Sequence, residues 1–468
     1  MQPETEPVSE LLELLLVQPG TQASVLTETL PNSEIKPRNP ARCNQRFIPP
    51  PPQGLAETGL STNVIEQLIL KFLYFRGELM SSDLSRAIGL TFNCISEIID
   101  GFKYQQLIQV KKSLGYGPIS EVLSLTERGR AVARDYLENN QYVGPAPVTM
   151  TQYRLAVEAQ RMPGNWLSME RLAKAYSHLV VTEAMLNQIG PAVSSGKSLL
   201  LYGQPGNGKT QLAEALAKIQ ASDIYLPYCL ECQGNLIQLY DPIYHKLSEH
   251  SGGGAELEYD GRWARCWRPF IASGGELSLA MLDLTYNATS RVYDAPFQLK
   301  ANNGIYLIDD FGRQKATSTE ILNRWIVPME HRIDYLSFLS GGKMIVPFET
   351  FLIFSTNLSP DKLGDEAFLR RIQYKILVKS PSQEEFREIF CQFCEAQGLQ
   401  VTASLLETFI SRHYIATGKQ FRRCHPRDVI SHAVDYMNFK RQPFELTEDV
   451  LEKAFASCFL STADLSET

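Results

Sequence analysis

The chain has 468 residues, with 45 Lys and Arg against 52 Asp and Glu, a formal charge of −7. That balance gives no global pull toward nucleic acid, so any such binding must come from a local patch. Hydrophobic residues make up 44% and charged residues 21%, an ordinary soluble composition with room for roughly two to four domains. No apolar run approaches the ~20 residues needed to span a bilayer, and the acidic N-terminus argues against a secretory signal. A cytoplasmic setting is expected.

Residues 1–58 hold 10 of the 26 prolines, including Pro49 to Pro52, with 4 basic and 7 acidic residues. Such a composition cannot build a core and predicts a disordered tether. Residues 10–17 (ELLELLLV) depart from it and read as a short partner-binding helix or an apolar stretch of the tail.

Residues 59–140 change character. Helical periodicity covers 63–75, then 81–88 and 93–102, with Gly89 as a stop. Strands are predicted at 107–112 and 121–125, and Thr126 is placed to cap a last helix. Three helices and a β-hairpin followed by a helix resemble the winged-helix variant of helix-turn-helix domains. A DNA-reading helix should offer Arg, Lys, Asn or Gln to base edges. The candidate, 91–107, carries Glu97 and Asp100 with one lysine, Lys103, and the wing adds only Lys111 and Lys112. A protein-docking module is the preferred reading, with DNA binding the alternative.

Residues 141–196 open on a Gly/Pro linker, 143–148, and continue as helical segments around 151–161, 168–175 and 183–188. The decisive stretch follows at 198–210, SLLLYGQPGNGKT. Its apolar start reads as a buried parallel strand. Gly203, Gly208, Lys209 and Thr210 complete the spacing G-x-x-x-x-G-K-[ST]. The loop from Gly203 through Pro205, Gly206, Asn207 and Gly208 can curl its backbone N–H groups, which Pro205 alone lacks, round an anion. Lys209 supplies charge for the β- and γ-phosphates, and Thr210 a hydroxyl for Mg²⁺. Gln211 then continues a strong helix-forming run, so phosphate sits at a helix N-terminus. Residues 304–310, GIYLIDD, describe a second buried strand that delivers two carboxylates to its C-terminal end, the edge where ligands bind in open α/β sheets. Asp309 is expected to hold Mg²⁺ and Asp310 to polarise the attacking water.

From these residues on, the chain resembles the AAA+ ATPases, over about 180–468. Residues 351–357 (FLIFSTN) look like the sensor 1 strand, with Asn357 positioning the water. Residues 364–372 look like the segment that places an arginine finger in a neighbouring subunit; Arg370 and Arg371 are both candidates, with Arg371 favoured. The run 424–429 (CHPRDV) looks like sensor 2, with Arg427 reaching the γ-phosphate. The resemblance also implies that 179–190 borders the adenine. The family usually ends its second motif in Asp-Glu, whereas this chain has Asp309-Asp310.

Two insertions are candidate working surfaces. Residues 332–348 resemble a hairpin that some AAA+ branches place before sensor 1. Residues 233–300 are long for a link between second and third strands, taken as 224–232 and 304–310. They include Trp263, Arg265 and Trp267 on one face of an extended run, with Arg262 and Arg268 on the other. That pattern suits either a stacking platform or a self-packed hairpin. Two C-x-x-C pairs, Cys229/Cys232 and Cys391/Cys394, read as free thiols: the first lies on a strand, where i and i+3 face apart, and the second on a core helix. Helices at 384–397, 404–414, 426–439 and 447–459 complete a lid.

The expected fold is an α/β P-loop NTPase, an AAA+ parallel sheet sandwiched by helices. It carries a C-terminal all-α lid and an N-terminal winged-helix domain. The expected divisions are 1–58 tether, 59–140 winged helix, 141–196 linker and lead-in, 197–380 nucleotide domain and 381–468 lid. The expected activity is Mg²⁺-dependent ATP hydrolysis in a homo-oligomeric ring, hexameric by resemblance, that remodels a protein partner. A DNA-directed motor and a nucleotide-gated switch with little hydrolysis are the alternatives.

Overall fold

The computed structural model describes residues 47–162, 166–219, 222–248, 259–363 and 369–459. The 10–17 segment, the Gly252–Gly254 run and residues 364–368 before the two candidate finger arginines lie outside them.

The first module is built from α1 (Thr62–Arg76), β1 (Glu78–Met80), α2 (Ser81–Ile88), α3 (Phe92–Tyr104), β2 (Ile108–Ser113), β3 (Glu121–Leu125) and α4 (Glu127–Asn139). Ile65, Leu68, Ile69, Phe72 and Leu73 on α1 recur at helical spacing and are buried against Leu84, Ile95, Ile99 and Leu123. Thr126 caps α4 by accepting from the Gly129 N–H at 3.0 Å. The sheet has three antiparallel strands in the order β1-β3-β2; β1 was not foreseen, because three residues carry too little periodicity.

Next come β4 (Val148–Thr149), α5 (Met150–Ala159), α6 (Met169–Ala175), α7 (Glu183–Ser195), β5 (Leu199–Tyr202) and α8 (Lys209–Ile219). Strands β6 (Asp223–Pro227), β7 (Cys229–Cys232), β8 (Asn235–Gln238), β9 (Trp263–Trp267) and β10 (Phe270–Ser273) follow. Then β11 (Thr285–Asn287), β12 (Val292–Asp294), α9 (Phe297–Lys300) and β13 (Ile305–Ile308) lead to α10 (Ser318–Arg324), α11 (Ile326–His331), β14 (Ile333–Ser337), β15 (Lys343–Pro347), β16 (Phe351–Thr356) and β17 (Tyr374–Leu377).

The central sheet is five parallel strands in the order β10-β13-β16-β5-β17. Its inner strands are apolar at nearly every position because both faces are covered. Leu199, Leu201, Ile305, Leu307 and Ile353 face α6, α7 and α8 through Leu172, Ile189, Leu212 and Leu216. Leu200, Tyr306, Ile308, Leu352 and Phe354 face the other way, against Leu282, Ile321, Leu322 and Trp325. Each such side chain contributes about 1.5–3 kcal/mol on leaving water.

The second strand of this sheet corrects the sequence reading. It is β10, not 224–232. The 224–232 run breaks at Tyr228 into β6, which pairs with β9, and β7, which joins a mixed sheet in the order β11-β12-β8-β7-β4. That sheet, the β6–β9 pair, α5 and the β14–β15 hairpin share one core: Val148, Tyr153, Ile224, Leu230, Ile237, Trp263, Tyr293, Leu336 and Val346. An accessory module is thus assembled from four stretches distant in sequence. The β14–β15 hairpin was foreseen, but most of it is packed: Leu336, Phe338, Met344 and Val346 are at most 3% exposed.

Two further expectations change here. Residues 47–58 are built in rather than loose: Phe47 packs edge-on against Tyr225 and Trp263, and the Asp260 N–H donates to the Pro49 carbonyl at 2.9 Å. The 143–148 linker is equally fixed. Ala146 is fully buried and its N–H donates to Ile88 O, while Val148 pairs with Leu230. The two modules meet tightly, so that a Cβ on Gly261 would lie 2.8 Å from the Gly89 Cα.

The C-terminal region consists of α12 (Gln383–Ala396), α13 (Ala403–Ile410) with a π-helical extension (Ser411–Ile415), α14 (Cys424–Lys440) and α15 (Glu448–Cys458). Ser382 and Glu385 form a capping box on α12, and Thr447 caps α15. Among the described residues no helix is long and apolar enough to cross a membrane.

Candidate active site

The phosphate loop runs from the end of β5 into α8, with Gly206 and Gly208 at φ +78° and +81°. Gly206 has a second reason to be glycine: a Cβ there would meet the Cys424 Sγ at 2.5 Å. The loop supports itself in this form. Lys209 Nζ donates to the Gly203 and Gln204 carbonyls at 3.0 and 3.1 Å and to Asn357 Oδ1 at 2.7 Å. Burial lowers the Lys209 pKa, Asp309 and Asp310 oppose the shift, and Arg422 adds to it.

Strand β13 ends at the same edge. Thr210 Oγ1 donates to Asp309 Oδ2 at 2.8 Å. Two hard oxygens at this distance are the donor set that an octahedral cation such as Mg²⁺ takes alongside phosphate and water. Asp310 follows with φ +49°, a left-handed backbone unusual outside glycine. Its Oδ1 accepts from Asn357 Nδ2 at 2.9 Å. Asn357, just past the end of β16, therefore links Lys209 to Asp310 through the two ends of one amide. The buried strands β5, β13 and β16 deliver all three groups to one edge because they are parallel neighbours.

Two cavities meet at the loop. One, of about 270 Å³, is lined by Lys209, Thr210, Asp309, Asp310, Asn357 and Arg427 among others. The second, of about 310 Å³, is more apolar, with Leu179, Val181, Met185, Leu212, Ile389 and Phe393 in its walls. Gly208, Gln211, Phe393 and Arg423 border both. A triphosphate fits the first and a flat base the second. Of the 179–190 stretch, Leu179 to Val181 and Met185 line the second cavity, whereas Gly190 instead packs on Leu172.

Several expected residues sit differently. The Asn207 side chain turns away from the phosphate path: its Nδ2 donates to Val378 O and Ser380 Oγ, both at 3.3 Å. Only its backbone remains on the loop. Arg427 borders the phosphate cavity, but its guanidinium pairs with Asp428 at 2.8 Å. Arg371 pairs with Glu330 at 2.7 Å, Arg370 is exposed, and neither lines the phosphate cavity of its own chain. Most of the Trp/Arg run packs inside the protein, as a self-packed hairpin would: Trp263 and Arg262 are buried, Arg265 pairs with Asp223, and Arg268 donates to Asn303 O and Gln160 O, while Trp267 is exposed. Burial lowers the Arg268 pKa to about 10.

Other contacts had no counterpart in the sequence reading. Arg422 Nη1 donates to Pro205 O at 3.2 Å, and the Cys424 N–H donates to Gly206 O at 2.9 Å. Arg423 donates to the Val180 carbonyl and pairs with Glu385 at 3.0 Å. Arg422 and Cys424 thus bind the C-terminal helices to the loop, and Arg423 binds them to the lead-in. The one available signal was the Arg-Arg pair just before the CHPRD run.

Comparison with known proteins adds the following. A family model described as Domain of unknown function (DUF8689) matches residues 382–457, the C-terminal helices. No curated protein matches the sequence. Among solved structures, NtrX from Brucella abortus matches at 12% identity over 60% of this chain and 57% of its own, with a TM-score of 0.37. This chain thus spans less than two thirds of that structure. A second NtrX structure, in complex with ATP, matches at 12% over 73% of this chain and 67% of its own, TM-score 0.35. RuvB from Thermotoga maritima matches at 14% over 63% of this chain and 73% of its own, TM-score 0.34. By its five-stranded parallel sheet, the G-x-x-x-x-G-K-T loop after β5, the acids after β13 and the C-terminal helices over that edge, the chain has an AAA+ P-loop ATPase fold.

Proposed function

We propose that this protein is a Mg²⁺-dependent ATP hydrolase, working as a homo-oligomeric ring in the cytoplasm to remodel a protein complex. The observation that carries the reading is the joined pair Thr210–Asp309 and Lys209–Asn357–Asp310 at one sheet edge. Lys209 exchanges its loop carbonyls for β- and γ-phosphate oxygens. Thr210 and Asp309 hold Mg²⁺, which neutralises charge on those oxygens when bound. Asp310 accepts the hydrogen bond of the attacking water, and Asn357 fixes the carboxylate that does so. Arg422 ties the C-terminal helices to the phosphate loop and Arg423 ties them to the lead-in, while Arg427 borders the phosphate cavity, so hydrolysis is felt as movement of those helices. Arg370 or Arg371 acts on a neighbour's site, where a planar cation lowers the barrier.

The N-terminal module is read as a winged-helix-like recruiter of protein. The exposed positions of α3 include Glu97 and Asp100, which suit DNA poorly, and the β2–β3 hairpin exposes Leu114 and Tyr116. A nucleotide-gated switch is the second reading. It draws on Asp310, whose short carboxylate is already engaged by Asn357.

The test is Mg²⁺-ATPase rate per subunit against protein concentration, with and without duplex DNA. Wild type should turn over faster per subunit as concentration rises, and Lys209→Ala and Asp310→Asn should each lose at least ~100-fold. A wild type that binds ATP but turns over no faster than Asp310→Asn leaves the switch reading. Stimulation by duplex DNA would favour a DNA-directed motor.

A further inference from the structure

We propose that Gln392 reads the edge of the nucleotide base, so that the C-terminal helices sense which base is bound. This rests on the nucleotide reading above and concerns the second cavity. Helix α12 presents two different stripes. Phe386, Phe390 and Cys394 are buried in the core of the C-terminal helices. Ile389, Gln392, Phe393 and Ala396, at spacings of three and four, instead line the base cavity. That stripe is apolar except for one primary amide.

The other polar side chains in the cavity wall are largely engaged. Arg423 is held by Val180 O and Glu385. Asn207 Nδ2 is held by Val378 and Ser380, which leaves its buried Oδ1 as an acceptor without a partner among the described residues but no free donor beside it, and His178 Nε2 lies 3.2 Å from Lys218 Nζ. Gln211 also has no partner among the described residues, but it stands at the doorway shared with the phosphate cavity. Gln392 is half-buried and, among the described residues, its amide has no hydrogen-bond partner. A primary amide offers an acceptor and donors side by side. That pattern matches the donor–acceptor pair of a 6-aminopurine, its exocyclic amine and adjacent ring nitrogen. Because Glu385 ties the first turn of α12 to Arg423, a base bonded to Gln392 bridges the lead-in, the phosphate loop and the C-terminal helices at once.

The experiment measures calorimetric affinities of the full chain for ADP and for purine riboside 5′-diphosphate, which lacks the 6-amino group. Diphosphates avoid turnover. Wild type should prefer ADP by about three- to tenfold, the range of one neutral hydrogen bond. Gln392→Leu should bind both equally and at least as weakly as wild type binds the analogue, with an unchanged unfolding midpoint. Gln392→Glu, which keeps an acceptor for the amine, should retain a preference for ADP. Equal binding of the two nucleotides by wild type overturns the proposal without any variant. So does a preference that survives in Gln392→Leu. Absence of ADP binding by wild type would overturn the nucleotide reading itself, a different outcome from either.

Discussion

Around the phosphate loop, Lys209, Arg423 and Arg427 border a cavity. In the accessory module, Arg262, Arg265 and Arg268 are committed inside the protein. Arg262 is 2% exposed and gives donors to both Asp260 oxygens, to Thr58 O and to Pro147 O. Lys209 is almost as buried, at 6%, yet its partners are two loop carbonyls and an amide, neutral groups that phosphate oxygens can replace. Burial alone therefore does not separate a working cation from a structural one. What separates Lys209 from Arg262 is that a neutralising carboxylate, Asp260, is already fixed against the Arg262 charge.

The largest effect should come from the structural side. Arg262→Met leaves Asp260 buried with half its partners gone, since only the Arg262 N–H and Trp263 Nε1 remain. It should destabilise the fold by about 3–5 kcal/mol, read from urea unfolding. Adding Asp260→Leu should recover part of the loss, because an apolar pair no longer strands a charge. A fall below about 1 kcal/mol for Arg262→Met would break the contrast with the nucleotide site.

Gly261→Ala is expected to be next. Its Cβ would press on the Gly89 backbone, which cannot turn aside as a side chain can. A loss of about 1–3 kcal/mol, with faster proteolysis between the N-terminal and accessory modules, would show that they are packed as one body. An unchanged midpoint would instead mean that the N-terminal module moves freely.

The smallest effect lies where the C-terminal helices meet the loop. His425 shares a hydrogen bond with Tyr414 at 3.1 Å and packs edge-on against Phe459. Burial, with Lys419 and Arg422 nearby, lowers its pKa from 6.5 to about 4. The folded state therefore resists the proton that the unfolded chain accepts. Its stabilising contribution is complete above about pH 6.5 and is lost as pH falls toward 4, by roughly 1 kcal/mol per pH unit. His425→Phe should flatten the melting temperature between pH 7 and pH 5. An equally steep slope in that variant would assign the acid sensitivity elsewhere.

The phosphate loop, the acids after β13, Asn357 after β16 and the four C-terminal helices were legible from the chain. Each is a local pattern, a fixed spacing or a period of 3.6, and Thr126 and Thr447 cap their helices as their types require. The accessory module was not legible. Its strands are two to five residues long and their partners lie far apart: Val148 with Leu230, Tyr293 with Ile237. The 224–232 run looked like one strand by its apolar content, although Pro227 marks the break at Tyr228, where the N–H turns to Arg262 O. The true second strand, FIAS, is too short to outcompete it as a pattern.

The sequence by itself determined the chemistry available at one sheet edge, because a phosphate loop and its acids depend on residues adjacent in the chain. Only the tertiary structure decided which cations border a cavity and which are enclosed. Arg427 and Arg262 are alike as letters, but long-range packing set one beside a cavity and closed the other around Asp260, Thr58 and Pro147.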